Sequence, residues 1–206
     1  MKMYKTDNKK IAEYLLSSPE AMINGYCFTL LSIQQPLQGL ADKMAEVAEQ
    51  GPACRHLNYG LKRDGLEFVT ANKVAIFEEL TRFASIGLDD VENISNALLY
   101  VYQTPNLGMV KSAFLLQLLG FNIACIDSHN LTRLGWKQSQ VALPKTLKPE
   151  SKLKKIRAYV SMTQKKGTAY WWNSWCHYVA GNTGNRKLTT GQMVSEYHAE
   201  AILGKA

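Results

Sequence analysis

The chain has 206 residues and a formal net charge of +7; 46% of its residues are hydrophobic and 20% are charged, as in ordinary soluble globular proteins. No apolar run reaches the roughly 18 residues that would suggest a membrane span. The polar start "MKMYKTDNKK" lacks the apolar centre of a signal peptide. We therefore expect an intracellular protein, in the cytoplasm or nucleoid, that makes no membrane contact and forms one large domain or two small ones.

Helical signals dominate the first part of the chain. Ser18 is a suitable N-cap, and Pro19 follows it at the first helical position. We expect Pro36 to open the next helix and Gly51 to close it. Residues 52–69 give mixed signals, and the stretch "GLEFV" within them is compatible with a short extended segment.

The middle of the chain contains two helices separated by a Pro/Gly break. Asp89 and Glu92 have the spacing of a capping box at the start of "DDVENISNALLYVYQ". The break "TPNLG" follows, and a new apolar helix begins near Met109. After the connector "NIACID", a further helix begins near Ser128.

The last third of the chain continues this helical pattern. In "KPESKLKKIRAYVSMTQKKG", Leu153, Ile156 and Val160 fall on one helix face and lysines on the other. Thr190 is a candidate cap for the final helix. Because alternating strand patterns are nearly absent, we predict an all-α fold with nine or ten helices joined by short loops.

Cysteine and histidine spacing argues against a metal centre. The four cysteines are Cys27, Cys54, Cys125 and Cys176. No two form a CxxC pair, so a zinc ribbon or a four-cysteine iron–sulfur loop is disfavoured and free, mostly buried thiols are expected. His177 and His198 have no cysteine or carboxylate partner at ligand spacing and are expected to be structural. We expect no metal and no cofactor.

The tryptophans divide into two pairs. We expect Trp171 and Trp175, which lie four positions apart on one helix, to belong to the core. Trp136 and Trp172 stay open between a core position and stacking on a nucleobase.

Positive charge is concentrated in one segment. Ten basic residues and a single acid, Glu150, lie between residues 133 and 166, so this segment carries +9 and the rest of the chain −2. Such a surface suits a polyanion, usually nucleic acid, although a solvated helix face that binds nothing has the same pattern. Lys137, Lys154 and Lys155 are our candidate DNA contacts within it.

One lysine stands alone in an apolar run. Lys111 is the only charged residue from Asn93 through Ile126. It lies in the first turn of the helix after the break, where the helix dipole and partial desolvation would lower the pKa of a lysine and free its amine as a nucleophile. Alternatively, its side chain extends to solvent. Asp127, the next charge along the chain, can cap the helix that begins at Ser128.

Two segments around this lysine resemble a known family. "NLGMVKSA" and "CIDSH" are similar to the LPGVGxKTA hairpin and the following V-D-T-H segment of the helix–hairpin–helix DNA glycosylase superfamily, the endonuclease III-like group. Lys111 falls on the family's Schiff-base lysine, Asp127 on its catalytic aspartate and His129 on the next histidine. "LLSIQ" resembles the family's LLSxQ segment, in which Gln34 would fall on the glutamine that fills the gap left by a flipped base. "YWWNSWCHYVAG" is similar to a late helix near the cleft, so the resemblance covers roughly residues 20–180 in order.

The resemblance implies two helical lobes with a cleft between them. Residues 17–121 would form one lobe that ends in the helix–hairpin–helix, and residues 1–16 with 122–206 would form a second lobe with the basic surface. Asn106 and Gly108 would contact a DNA phosphate through the hairpin.

The chain departs from the family in three ways. "LGM" replaces the GVG triplet, no cysteine follows Cys176 to form the iron–sulfur cluster of endonuclease III, and "DSH" stands for D-T-H.

Three functions follow as alternatives. The first is a DNA N-glycosylase, with or without lyase activity, that flips a modified or damaged base of double-stranded DNA and cleaves its glycosidic bond. The second is a glycosylase-like enzyme of DNA base hypermodification that attaches or exchanges a small group on a modified thymine. The third is a DNA-binding protein that keeps the scaffold without catalysis. In each case we expect a monomer.

Overall fold

A computed structural model describes residues 8–33, 35, 37–58, 62–144, 146–182 and 188–204, except for the side chains of 181 and 182. These residues form twelve α-helices and two short 3₁₀ turns, and none of them lies in a β-strand, so the predicted all-α class is confirmed and the helix count is higher than expected. The helices are α1 (Lys9–Leu15), α2 (Pro19–Leu31), α3 (Leu40–Gln50), α4 (Lys62–Ala71), α5 (Lys73–Ile86), α6 (Val91–Tyr102), α7 (Met109–Leu118), α8 (Ser128–Leu134), α9 (Gln138–Val141), α10 (Pro149–Gln164), α11 (Thr168–Asn182) and α12 (Gly191–Leu203). The 3₁₀ turns are Gly51–Ala53 and Arg55–Leu57.

Several predicted helix ends are confirmed. The Ser18 side chain accepts a hydrogen bond from the Ala21 N–H at 3.1 Å, and the Thr190 side chain caps α12 in the same way. Gly51 ends α3 with a left-handed φ of 60°, a conformation that glycine adopts without strain. Pro36, predicted to open α3, lies outside the described residues, and α3 begins at Leu40.

Two local predictions are wrong. The stretch "GLEFV" is helical and belongs to α4. Its Gly65 faces the break after α6 so closely that a Cβ there would lie 2.8 Å from the Pro105 carbonyl oxygen, so this glycine serves close packing and does not interrupt a helix. The N-cap of α6 is Asp90, one residue after the prediction, and its carboxylate accepts from the Asn93 N–H at 2.6 Å.

Helices α2 and α7 lie at the centre of the core. Both are buried on nearly every side, and α2 packs against α1, α3, α4, α5, α7 and α12. Around them α6 packs on α10, and α11 packs on α12. The buried side chains form one continuous cluster that draws on the whole chain, and the division into two lobes stays a prediction. Within the described part of the chain, no helix is both long and apolar enough to cross a membrane.

Candidate active site

A cavity of about 510 Å³ opens where the end of α2 meets the start of α7. The connector between α7 and α8 supplies another side, and α11 and α12 complete the wall. Both predicted catalytic residues line this cavity. Its other lining side chains are Phe28, Ser32, Ile33, Gln35, Leu37, Gln38, Leu40, Val110, Phe114, Gln117, Cys125, Ile126, Ser128, His129, Asn130, Gln138, Trp171, Trp172, Trp175, Val179 and His198.

Lys111 is held inward and does not extend to solvent. It is half-buried in the first turn of α7, and its Nζ donates to the Ser32 Oγ at 2.8 Å and to the Ser32 carbonyl at 3.4 Å. The Ser32 hydroxyl in turn donates to the Thr29 carbonyl at 2.7 Å. The lysine thus satisfies acceptors at the C-terminal end of α2, where a cation is favoured.

The same burial changes the acidity of the amine. Loss of hydration lowers the pKa of Lys111, and the negative forms of Cys125 and Asp127 offset only part of this shift. A lowered pKa raises the fraction of neutral amine near neutral pH, and the neutral amine is the nucleophilic form.

Side chains clamp the connector that precedes Asp127. The Tyr159 hydroxyl donates to the Ala124 carbonyl at 2.6 Å and accepts from the Ile126 N–H at 3.0 Å. The Gln117 side-chain oxygen accepts from the Cys125 N–H at 3.1 Å. These contacts leave the backbone of the connector little freedom, because its buried polar groups are paired with fixed partners.

Asp127 is fixed at both carboxylate oxygens. One oxygen accepts from the Asn130 N–H at 2.9 Å, which makes Asp127 the N-cap of α8 as predicted. The other accepts from the Trp175 indole N–H at 2.8 Å. Asn130 also donates through its side chain to the Cys125 carbonyl at 2.6 Å and so joins α8 to the connector. The carboxylate therefore has a defined orientation towards the cavity.

Lys111 and Asp127 line the same cavity and interact electrostatically. The direct ion pairs between described residues do not include one that joins these two side chains. His129 lines the cavity too, next to the Tyr178 ring at 5.7 Å between centroids.

One part of the cavity wall is aromatic. The His198 ring, 1% exposed, lies 5.2 Å from both the Trp172 and Trp175 ring centroids and 5.4 Å from that of Phe28. Its Nδ1 lies 2.8 Å from the Val194 carbonyl, so the neutral ring carries its proton on Nδ1. Burial lowers the pKa of His198 to about 4.

Sequence reasoning missed two members of this wall. We predicted a core position for Trp175, but its ring lines the cavity and its indole N–H binds the candidate catalytic carboxylate. His198, expected to be structural, also lines the cavity. Trp171, by contrast, is 2% exposed as expected, although one part of it reaches the cavity, and its N–H donates to the Thr163 carbonyl. A buried indole N–H needs a hydrogen-bond acceptor, and this need was the sequence signal that Trp175 has a polar partner.

Gln34, the candidate residue for filling the gap in DNA, lies outside the described residues. Its neighbours Ile33 and Gln35 both line the cavity. The Lys43 amine donates to the Gln35 side-chain oxygen at 2.6 Å. Lys62, 3% exposed, donates to the Ile33 carbonyl at 2.8 Å. Two lysines thus bind the residues on either side of Gln34.

The break between α6 and α7 is a tight turn. Asn106 is exposed and is the non-glycine residue with positive φ among those described, at 70°, a conformation that asparagine tolerates. Gly108 is exposed at the N-cap of α7 with an extended backbone, and a Cβ there would meet open space. The left-handed residue of the turn is therefore Asn106, and the exposed N-cap Gly108 lies three residues before Lys111.

The basic segment is only partly available to a ligand. Lys137 and Lys154 are exposed, and Lys155 is half-buried with its amine 3.2 Å from the Ser139 carbonyl. Arg157, however, binds Glu92 of α6 through two hydrogen bonds of 2.6 and 2.5 Å, which neutralises its charge.

A group of potential metal ligands lies away from the cavity. All four cysteines are buried and free, as predicted. Within the described part of the chain, the group of side chains that could hold a metal ion is Glu46, Cys54 and His56. None of the three lines the cavity.

Comparisons with protein-family models, with curated proteins and with solved structures give no match for this chain. The relationship to the helix–hairpin–helix glycosylases therefore rests on the motifs quoted above and stays a prediction.

Proposed function

We propose that this protein is a DNA N-glycosylase that receives a flipped base in the cavity beside Lys111 and Asp127. The observation that carries the proposal is the location of a desolvated amine and an oriented carboxylate on one aromatic-walled cavity, without an ion pair between them. An enzyme that acts on a base in a duplex must extrude it, and aromatic side chains suit the faces of a base.

Lys111 would act as the nucleophile. In its neutral form the amine attacks the sugar carbon that carries the base, a carbon–nitrogen bond forms, and the glycosidic bond breaks with its electron pair leaving on the base. The departing base takes up a proton, and the amine loses one as the sugar ring opens to an imine. Elimination from that imine cleaves the strand, which gives the enzyme its lyase activity.

Asp127 would stabilise the positive charge that develops on the sugar as the glycosidic bond breaks. The hydrogen bonds from Trp175 and Asn130 orient the carboxylate before the substrate arrives. Such preorganisation lowers the barrier, because the charge does not have to be reoriented during the reaction.

DNA binding would use exposed cations of the basic segment. Lys137 and Lys154 are exposed, and the exposed turn at Asn106 and Gly108 presents the start of α7. The first N–H groups of a helix favour a phosphate. Gln34 would fill the gap left by the extruded base, as the resemblance implies.

One observation favours the second candidate, a base-hypermodification enzyme. The cavity of about 510 Å³ falls in the range that encloses drug-sized ligands, which are larger than an unmodified nucleobase. Amide side chains of Gln35, Gln38 and Gln138 line it in addition to the aromatic wall. A thymine that carries a polar substituent would use this extra space and these donors and acceptors.

Mass spectrometry of nucleosides and free bases distinguishes these chemistries. Duplex DNA that carries a panel of damaged and substituted bases is incubated with the protein. A released base with an abasic or cleaved strand supports excision, whereas a nucleoside of changed mass supports modification. Binding that weakens with salt, without any product, would instead indicate a non-catalytic DNA-binding protein.

A further inference from the structure

Three potential metal ligands meet at the end of α3, away from the cavity. Glu46 lies in the last turns of α3, and Cys54 and His56 lie in the two 3₁₀ turns that follow. One ligand atom from each residue lies within 4.8 Å of the other two. Cys54 is fully buried, while the side chains of His56 and Glu46 are 20% and 33% exposed.

The histidine nitrogen at this site already lies against a carboxylate. The Nε2 atom of His56 lies 3.1 Å from the Glu46 Oε2, which brings the two potential ligand atoms together. This contact with His56 lowers the pKa of the Glu46 carboxyl. An imidazole nitrogen and a carboxylate oxygen this close can bind one cation between them.

The competing partner at the site is Arg55. Its guanidinium lies 3.3 Å from the same Glu46 oxygen, but the Arg55 side chain is 74% exposed. An ion pair this exposed contributes little to stability, so a cation bound between Glu46 and His56 can displace the arginine into solvent at small cost.

We propose that Glu46, Cys54 and His56 bind a divalent transition-metal ion of the zinc type. Thiolate, imidazole and carboxylate are the donors that zinc uses, and three protein ligands leave the fourth tetrahedral position to a water molecule. Zinc bonds of about 2.0–2.3 Å at tetrahedral angles place ligand atoms about 3.3–3.8 Å apart. The three ligand atoms, which lie within 4.8 Å of one another, would therefore move closer by roughly 1–1.5 Å at most when the ion binds. Binding forms the metal–sulfur bond and releases the Cys54 thiol proton to solvent.

Such an ion would tie α3 to the chain that leads into α4. The residues between Glu46 and His56 end one helix and form two short 3₁₀ turns. A metal that bridges both ends of this segment stabilises the folded protein, because the unfolded chain offers no preformed site.

Cobalt(II) tests the site without any reference to enzymatic activity. The metal-free protein is titrated with Co²⁺, and the absorption spectrum is recorded. We expect a thiolate-to-cobalt charge-transfer band and the strong visible bands of tetrahedral cobalt, both lost on addition of Zn²⁺. Absence of a charge-transfer band in the wild-type protein at saturating Co²⁺ overturns the proposal.

Variants assign the ligands. Cys54→Ser should abolish the charge-transfer band, and Glu46→Gln and His56→Gln should each weaken Co²⁺ binding at least about tenfold, since the loss of outer partners alone costs that much at known sites. Cys176→Ser, which removes another buried thiol, and Glu49→Gln, which removes an exposed carboxylate of α3, are the matched controls. An unchanged band in Cys54→Ser, or equal affinity in Glu46→Gln and Glu49→Gln, contradicts the assignment. Glu46→Gln retains the thiol, so the test stands even if Cys54→Ser fails to fold.

Discussion

The Tyr159 hydroxyl is expected to hold the backbone that carries Asp127, and its removal tests this directly. In Tyr159→Phe the ring remains, but the Ala124 carbonyl and the Ile126 N–H lose their partner inside the core. A buried polar group left without a hydrogen bond costs about 1–3 kcal/mol. With two such groups and partial relaxation, we expect the free energy of unfolding to fall by about 2–4 kcal/mol. In a domain of this size, that loss lowers Tm by roughly 5–15 °C.

Urea unfolding of the wild-type protein, Tyr159→Phe and Tyr170→Phe measures this effect. Tyr170 is the matched control because the residue is exposed and its hydroxyl makes a surface hydrogen bond, accepted from the Lys166 amine at 3.3 Å. Its removal should change the free energy of unfolding by less than about 0.5 kcal/mol. An equally small change in Tyr159→Phe would refute the argument that this hydroxyl fixes the connector.

Two further predictions concern the cavity. Asp127→Asn should lower the rate of base release by about 10²–10³, because the oriented charge is lost. Single-turnover kinetics measure this rate, and a binding assay should show that the affinity for DNA is nearly unchanged. An unchanged rate would remove Asp127 from the mechanism. Asparagine is also a good N-cap, so α8 should stay intact. Burial lowers the pKa of His198 from 6.5 to about 4. As the pH falls, this ring therefore binds a proton at a higher pH in the unfolded chain than in the folded protein. The stabilisation from the neutral ring is complete above pH 6.5 and is lost as the pH falls towards 4, by roughly 3 kcal/mol. Urea unfolding at about pH 7 and about pH 4 should show a loss in the wild-type protein that exceeds the loss in His198→Gln by about this amount, since the carboxylates titrate in both proteins, and an equal loss in both would contradict it.

The fold class and many helix ends could be predicted because they depend on local chemistry. Ser18 and Thr190 cap helices through side chains that lie three residues from their partners, so the sequence alone contains the interaction. Asp127 was predicted as a cap for the same reason. The predicted cap of α6 was one residue too early, because Asp89 and Asp90 are adjacent and carry the same side chain.

The features that sequence reasoning missed depend on contacts between distant segments. The segment that contains Gly65 gave mixed signals, but this glycine lies in a helix and serves the close approach of Pro105, forty residues away. The role of Trp175 at the site depends on a hydrogen bond from its indole N–H to Asp127, the N-cap of another helix. The place of His198 in the cavity wall depends on how α12 packs against α2 and α11. None of these distances is contained in a local pattern.

The location of Lys111 and Asp127 at one cavity likewise depends on tertiary structure. Sequence motifs suggested that both residues serve one site, and the structure brings both to one cavity. The partner that holds the amine, Ser32, lies 79 positions away and could not be identified beforehand.

Borohydride trapping tests whether the Lys111 amine attacks the sugar of a flipped nucleotide. DNA with a processed lesion is incubated with the protein and reduced, and the covalent complex is resolved by electrophoresis. We predict a covalent complex with the wild-type protein and with Lys62→Met, since Lys62 is a buried lysine at the same turn that does not line the cavity. Lys111→Ala should give no complex, and a covalent complex that persists in Lys111→Ala would contradict the account.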